Sequence, residues 1–96
     1  MIFCKLRAIG RVQGVNYRFF VLQCARKLNI SGYVKNLGDD SVEIVAEAKD
    51  AATLSEFKRM ISSSMGSAMG HEVSELRVES EEESAKQRYE GFQIDY

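Results

Sequence analysis

The chain has no proline and no tryptophan, only two cysteines and a single histidine among its 96 residues. Each scarcity closes off a class of function. Cys4 and Cys24 are too few and too far apart to frame a disulfide scaffold. With His71 as the lone imidazole they offer no zinc-ligand spacing, so neither a metal nor a cofactor is expected, and both thiols read as small buried apolar residues. No run approaches the ~18 apolar residues of a membrane span, and Lys5 and Arg7 interrupt the N-terminal apolar stretch, so no membrane association and a cytoplasmic location are expected. Excess charge is missing too. Thirteen Lys and Arg against fourteen Asp and Glu leave a net charge of −1, which sets up no global field to recruit nucleic acid. Any anion site must be local.

What is present supports one packed unit. A hydrophobic content of 45% can fill a core, and the length suits a single domain over residues 1–96. Ile2 to Ile9 alternates with period two and reads as a strand stopping at Gly10. From Tyr17 the period changes: Tyr17, Val21, Cys24, Ala25 and Leu28 recur at helical spacing, and the helix ends near Asn29. Ile30 to Leu37 and Ser41 to Ala48 read as strands joined in a hairpin by Gly38, Asp39 and Asp40. Asp50 can cap a second helix whose stripe is Leu54, Phe57, Ile61 and Met65, with Gly66 as its stop. Ser62 to Gly70 has no period and reads as a mobile connection. A strand is expected from about Glu72 to Glu79, a solvated turn or hairpin over the glutamate-rich Glu79 to Glu83, and a last short strand at the C-terminus.

That order implies an α+β fold: a two-layer ferredoxin-like βαββαβ sandwich, with an antiparallel sheet, two helices on one face and a short extra C-terminal strand. The architecture serves enzymes, RNA binders and regulatory modules alike, so the function must be argued from a site.

The segment Gly10-Arg-Val-Gln-Gly-Val-Asn-Tyr-Arg18 joins the first strand to the first helix, where backbone N–H groups lack helical partners and the helix dipole is positive. Gly14 can take positive φ and curl the chain so that the N–H groups of Val15, Asn16, Tyr17 and Arg18 converge as a phosphate nest. Arg18 adds a planar fork for two phosphate oxygens. A cation in a first helical turn opposes the dipole, a poor choice unless an anion sits there. Taken singly, Gly10 and Gly14 are ordinary turn glycines and Arg18 a surface residue; the combination favours an anion site. No Gly-Lys-Ser/Thr ending follows, which excludes a nucleotide-binding Walker loop. Positions 12 and 13, where a cysteine nucleophile would precede the arginine, hold Val12 and Gln13, leaving water as the nucleophile.

This loop resembles the phosphate-binding motif of the acylphosphatase family, and Gly32-Tyr-Val-Lys-Asn36 resembles the family's second motif. The likeness runs through the chain: Asp40 to Ile44 resembles the hairpin return strand, Leu54 to Ile61 the second helix and Phe92 to Tyr96 the closing strand. The resemblance implies hydrolysis of a carboxyl–phosphate anhydride to a carboxylate and inorganic phosphate, with no metal. Arg18 would bind the phosphoryl group together with the backbone from Gly14 to Arg18, and Asn36 would hold the attacking water through an amide that both donates and accepts. An acyl phosphate carries a good leaving group, so no general acid is needed. Tyr17 stands where the family more often has phenylalanine, and its hydroxyl needs a partner if the ring is buried. The expected partners are the acyl phosphate and phosphate alone, with no nucleic acid and the chain a monomer. The alternative is a catalytically weak anion-binding or interaction module of the same fold.

Overall fold

The computed structural model describes residues 1–63 and 70–95. Its elements run β1 (Ile2–Arg11), α1 (Tyr17–Lys27), β2 (Ser31–Asn36), β3 (Val42–Ala48), α2 (Ala51–Ile61), β4 (Glu72–Glu83) and β5 (Phe92–Asp95). The strands form one sheet in the order β4-β1-β3-β2-β5. The pairs β1/β3, β1/β4 and β2/β3 are antiparallel, and β5 joins the outer edge of β2 in parallel.

Register explains the two layers. Leu6 pairs with Ile44, Ile44 with Val34, and Val34 with Ile94, so one apolar row crosses the sheet on the helical side. On that row Tyr17, Val21 and Ala25 of α1 and Leu54, Phe57 and Ile61 of α2 close the core, all nearly inaccessible to solvent. The Phe57 ring meets that of Phe92 edge-on, with centroids 6.3 Å apart, which fastens α2 to the last strand. Helix α1 ends as its residues dictate. Asn29 takes φ 55, a left-handed conformation that asparagine tolerates, so its N–H reaches Arg26 O and that of Ile30 reaches Ala25 O at 2.9 Å. Cys4 and Cys24 are buried as expected, and loss of solvation pushes the Cys4 thiol up to about 11.

Two expectations need correction. Strand β1 does not stop at Gly10: it continues to Arg11 through a register shift between Ile9 and Gly10. Gly10 is therefore no turn glycine. Its φ is 136, and a Cβ there would lie 2.3 Å from Glu72 O, so the close approach of β4 demands glycine. Residues Glu79 to Glu83 are likewise not a turn but the second half of β4, paired with β1 as far as Ile2. Three of their carboxylates are paired, Glu79 with Arg7 of β1 at 3.4 Å, Glu81 with Lys58 of α2 at 2.9 Å and Glu82 with Arg88 of the following connection at 2.6 Å. Met65, Gly66 and most of the expected connection from Ser62 to Gly70 lie outside the described residues.

The chain then crosses beneath the sheet from one edge to the other, from β4 to β5. Glu47, almost wholly buried, accepts the N–H groups of Arg88 and Tyr89 at 2.7 to 2.9 Å and so fixes that crossing. The Arg88 guanidinium lies over the Phe3 ring, 4.4 Å from its centroid. This is the end of the sheet opposite the loop between β1 and α1.

Candidate phosphate-binding site at the start of α1

Between Arg11 and Tyr17 the backbone alternates in hand. Gly14 has φ 73 and Asn16 φ 61, while Val15 between them keeps negative φ. Alternation of this kind turns successive N–H groups toward one point. At Gly14 a Cβ would meet nothing within 4 Å, so glycine is there for its conformation and not for space. Asn16 is explained the same way: asparagine is among the few residues with a side chain that enter the left-handed region readily.

Asn16 is also the N-cap residue of α1, yet its side chain accepts no capping hydrogen bond, and no acidic residue stands in the first turn. The first helical bond runs from Phe20 N–H to Asn16 O at 3.1 Å. Ahead of it, the N–H groups of Val15, Asn16 and Tyr17 have no acceptor among the described residues. A helix start left in this condition, with a positive dipole end and inward-curling N–H groups, has the chemistry that suits an anion.

A cleft of about 380 Å³ opens beside this loop. Gly14, Asn16, Tyr17 and Arg18 line it together with Val12, Phe19 and Ile94 of β5. Arg18 Nη1 lies 3.5 Å from the carbonyl of Asp95, which directs the guanidinium across the cleft toward β5. Val15 does not line the cleft; its side chain packs against the core, so it can offer only its N–H. Tyr17 is buried, and its hydroxyl donates to Ile61 O at 2.7 Å, which meets the expected need for a partner and ties the loop to the end of α2. Burial raises the Tyr17 pKa, so the phenol stays a donor.

Asn36 is brought to the same end of the sheet by a residue the motif contains but whose role its spacing did not reveal. Gln13 Nε2 donates to both Leu37 O and Ser41 O at 2.8 Å, lashing the loop to the base of the β2–β3 hairpin immediately after Asn36. The hairpin closes with Leu37 N–H on Ser41 O at 2.9 Å and is braced by Asp39, which accepts from the Ser41 N–H and hydroxyl and pairs with Arg7. Alternation along β2 puts Asn36 on the face of Val34, the neighbour of Ile94. Asn36 does not line the cleft wall itself. Its Oδ1 is buried with no hydrogen-bond partner among the described residues, an arrangement that proteins otherwise avoid.

His71 completes the packing under the loop. It is 1% exposed, its ring centroid lies 5.0 Å from that of Tyr17 and 4.8 Å from that of Phe20, and neither nitrogen has a partner among the described residues. Burial lowers its pKa. Among the described residues, no group of three or more His, Cys, Asp or Glu side chains is gathered as a metal site.

The acylphosphatase family model matches residues 4–94. An acylphosphatase from Treponema denticola is 44% identical over 88 residues, covering 90% of this chain and 84% of its own. One from Archaeoglobus fulgidus is 36% identical over 98 residues and the whole of both chains. The crystal structure of acylphosphatase from Bacillus subtilis superposes with a TM-score of 0.86 at 32% identity, again over the whole of both. Two motifs brought to one end of a shared sheet, and these likenesses across nearly the full length, lead to one conclusion: the chain belongs to the acylphosphatase family.

Proposed function

We propose that the protein is an acylphosphate phosphohydrolase in which the loop from Gly14 to Arg18 holds the phosphoryl group and Asn36 positions water. The observation that carries this reading is the uncapped start of α1, with its alternating backbone and Arg18 on one cleft. The N–H groups of Val15, Asn16 and Tyr17 and the Arg18 fork surround the equatorial phosphoryl oxygens, on which charge is spread in the transition state. Water attacks phosphorus, the bond to the acyl oxygen breaks, and the carboxylate leaves. The water proton passes to a phosphate oxygen. The Oδ1 of Asn36 has no hydrogen-bond partner among the described residues, so its acceptor capacity is uncommitted, and a turn of the side chain toward the cleft would present it to that water. The reaction as written draws on no metal or cofactor.

The same reading takes residues 1–96 as one acylphosphatase-like domain and the protein as a cytoplasmic monomer whose partners are the acyl phosphate and phosphate. A net charge of −1 gives no attraction for nucleic acid, and no described helix is long and apolar enough to cross a membrane. Hydrolysis of benzoyl phosphate, with inorganic phosphate as competitor, tests the chemistry. Arg18→Ala is expected to lose phosphate competition and to lower kcat/KM by roughly 10²- to 10³-fold or more. Asn36→Ala should keep phosphate competition while kcat falls on the order of 10²-fold. Equal loss of phosphate affinity in the two variants would contradict this division of roles. Phosphate binding without turnover in the folded wild type would make the chain an anion-binding module.

A further inference from the structure

The proposed phosphoryl machinery accounts for only part of the cleft lining. Phe19, next to Arg18, lines the cleft and is 48% exposed, and Ile94 contributes a half-buried aliphatic surface from β5. Phe19 belongs to α1 but not to the face that closes the core, so the sandwich does not require a ring there. A solitary exposed phenylalanine needs no explanation by itself. Here its place does: it lines the same cleft as Arg18 and the loop proposed to hold phosphate.

Charge narrows what that part of the lining can accept. Among the described residues lining the cleft, Arg18 is the only charged side chain, and the phosphoryl group engages it. A second anionic group on the substrate would meet Phe19 and Ile94 without a counter-ion, and would lose hydration for nothing in return. An apolar or aromatic acyl group would cover the Phe19 ring and remove both surfaces from water. We infer that Phe19 and Ile94 form an acyl-group subsite, and that Phe19 selects aromatic or branched apolar acyl phosphates over small or charged ones. The inference rests on the hydrolase reading above and adds the class of acyl group to it.

The test compares benzoyl, acetyl and succinyl phosphate on the whole chain, in wild type, Phe19→Ala, Phe19→Leu and the control Val78→Ala. Val78 is 47% exposed on β4 and is not among the residues lining the cleft. Phe19→Ala is expected to raise KM for benzoyl phosphate about fivefold, the scale of one lost ring contact, and to lower the ratio of benzoyl to acetyl kcat/KM by the same factor. Leucine should restore part of that ratio, and Val78→Ala should leave it unchanged. Because each ratio is taken within one variant, differences in the intrinsic reactivity of the substrates cancel between variants. An unchanged benzoyl-to-acetyl ratio in Phe19→Ala would overturn the subsite while leaving the hydrolase reading intact. So would a wild type that prefers succinyl phosphate. Failure of the folded wild type to hydrolyse any of the three would overturn the hydrolase reading, and the subsite with it.

Discussion

The two helices begin in opposite ways. Asp50 enters α2 in extended conformation, and its carboxylate accepts the Thr53 N–H at 2.8 Å, so the helix start is closed by the chain's own anion. Asn16 enters α1 in left-handed conformation with its side chain uncapped, and the first turn carries Arg18 in place of an acid. One start is finished within the protein, whereas the other has no side-chain cap. The difference costs local stability at α1, which is recovered from below: Tyr17 bonds to Ile61 O, and Gln13 bonds to the hairpin. A site of this kind is held by its supports and not by its own hydrogen bonds.

Gly14→Ala strikes the open start most directly. With φ 73 and no clash, the variant should lose about 1–2 kcal/mol, the penalty of a left-handed residue bearing a Cβ. Chemical denaturation measures that loss, and a parallel weakening of phosphate competition would tie the conformation to anion binding. An unchanged phosphate affinity would show that the backbone curl is dispensable.

The closed start should respond in stability alone. Asp50→Ala removes a cap worth about 1 kcal/mol and is expected to lower Tm by a few degrees with kcat/KM unaltered. Any loss of turnover beyond twofold would mean that the two starts are coupled through the core.

The last expected effect concerns pH and leaves the site untouched. His71 is buried against the first turn of α1, and burial holds its pKa below the ordinary imidazole value of about 6.5. Above that value both folded and unfolded chains are neutral at this residue, so it contributes no slope. As pH falls below about 6.5 the unfolded chain takes up the proton first, and stability declines by at most about 1.4 kcal/mol per pH unit until the folded form protonates. Carboxylates with lowered pKa, such as Asp50 and Glu56, act in a more acidic range. His71→Phe should flatten the stability profile just below a pH of about 6.5, and a slope equal to that of wild type would assign it elsewhere.

Much of this was readable along the chain. The period of two in Ile2 to Ile9 and the helical recurrence from Tyr17 reflect which side each residue turns to the core, so β1, α1 and the hairpin were legible. The loop was legible too, because Gly14 beside a first-turn arginine has few purely structural justifications. Asn16 was less so: its side chain forms no part of the cap, and its purpose lies in a backbone angle. The second half of β4 was misread because its glutamates look like a solvated turn or hairpin; they are strand because β1 pairs with them as far as Ile2, while Arg7, Lys58 and Arg88 balance three of the carboxylates. Glu47 could not be foreseen at all, since the N–H groups that justify burying it belong to residues more than forty positions away.

Local pattern alone therefore determined the elements, the layer each would face and the conformation-sensitive loop, because hydrophobic period and backbone preference act between near neighbours in sequence. The tertiary structure decided the parallel pairing of β5, the burial of Glu47 and His71, the lashing of the loop by Gln13, and the apolar wall that Phe19 and Ile94 present beside Arg18. These depend on which distant groups share a small volume, where desolvation and hydrogen bonding are settled jointly.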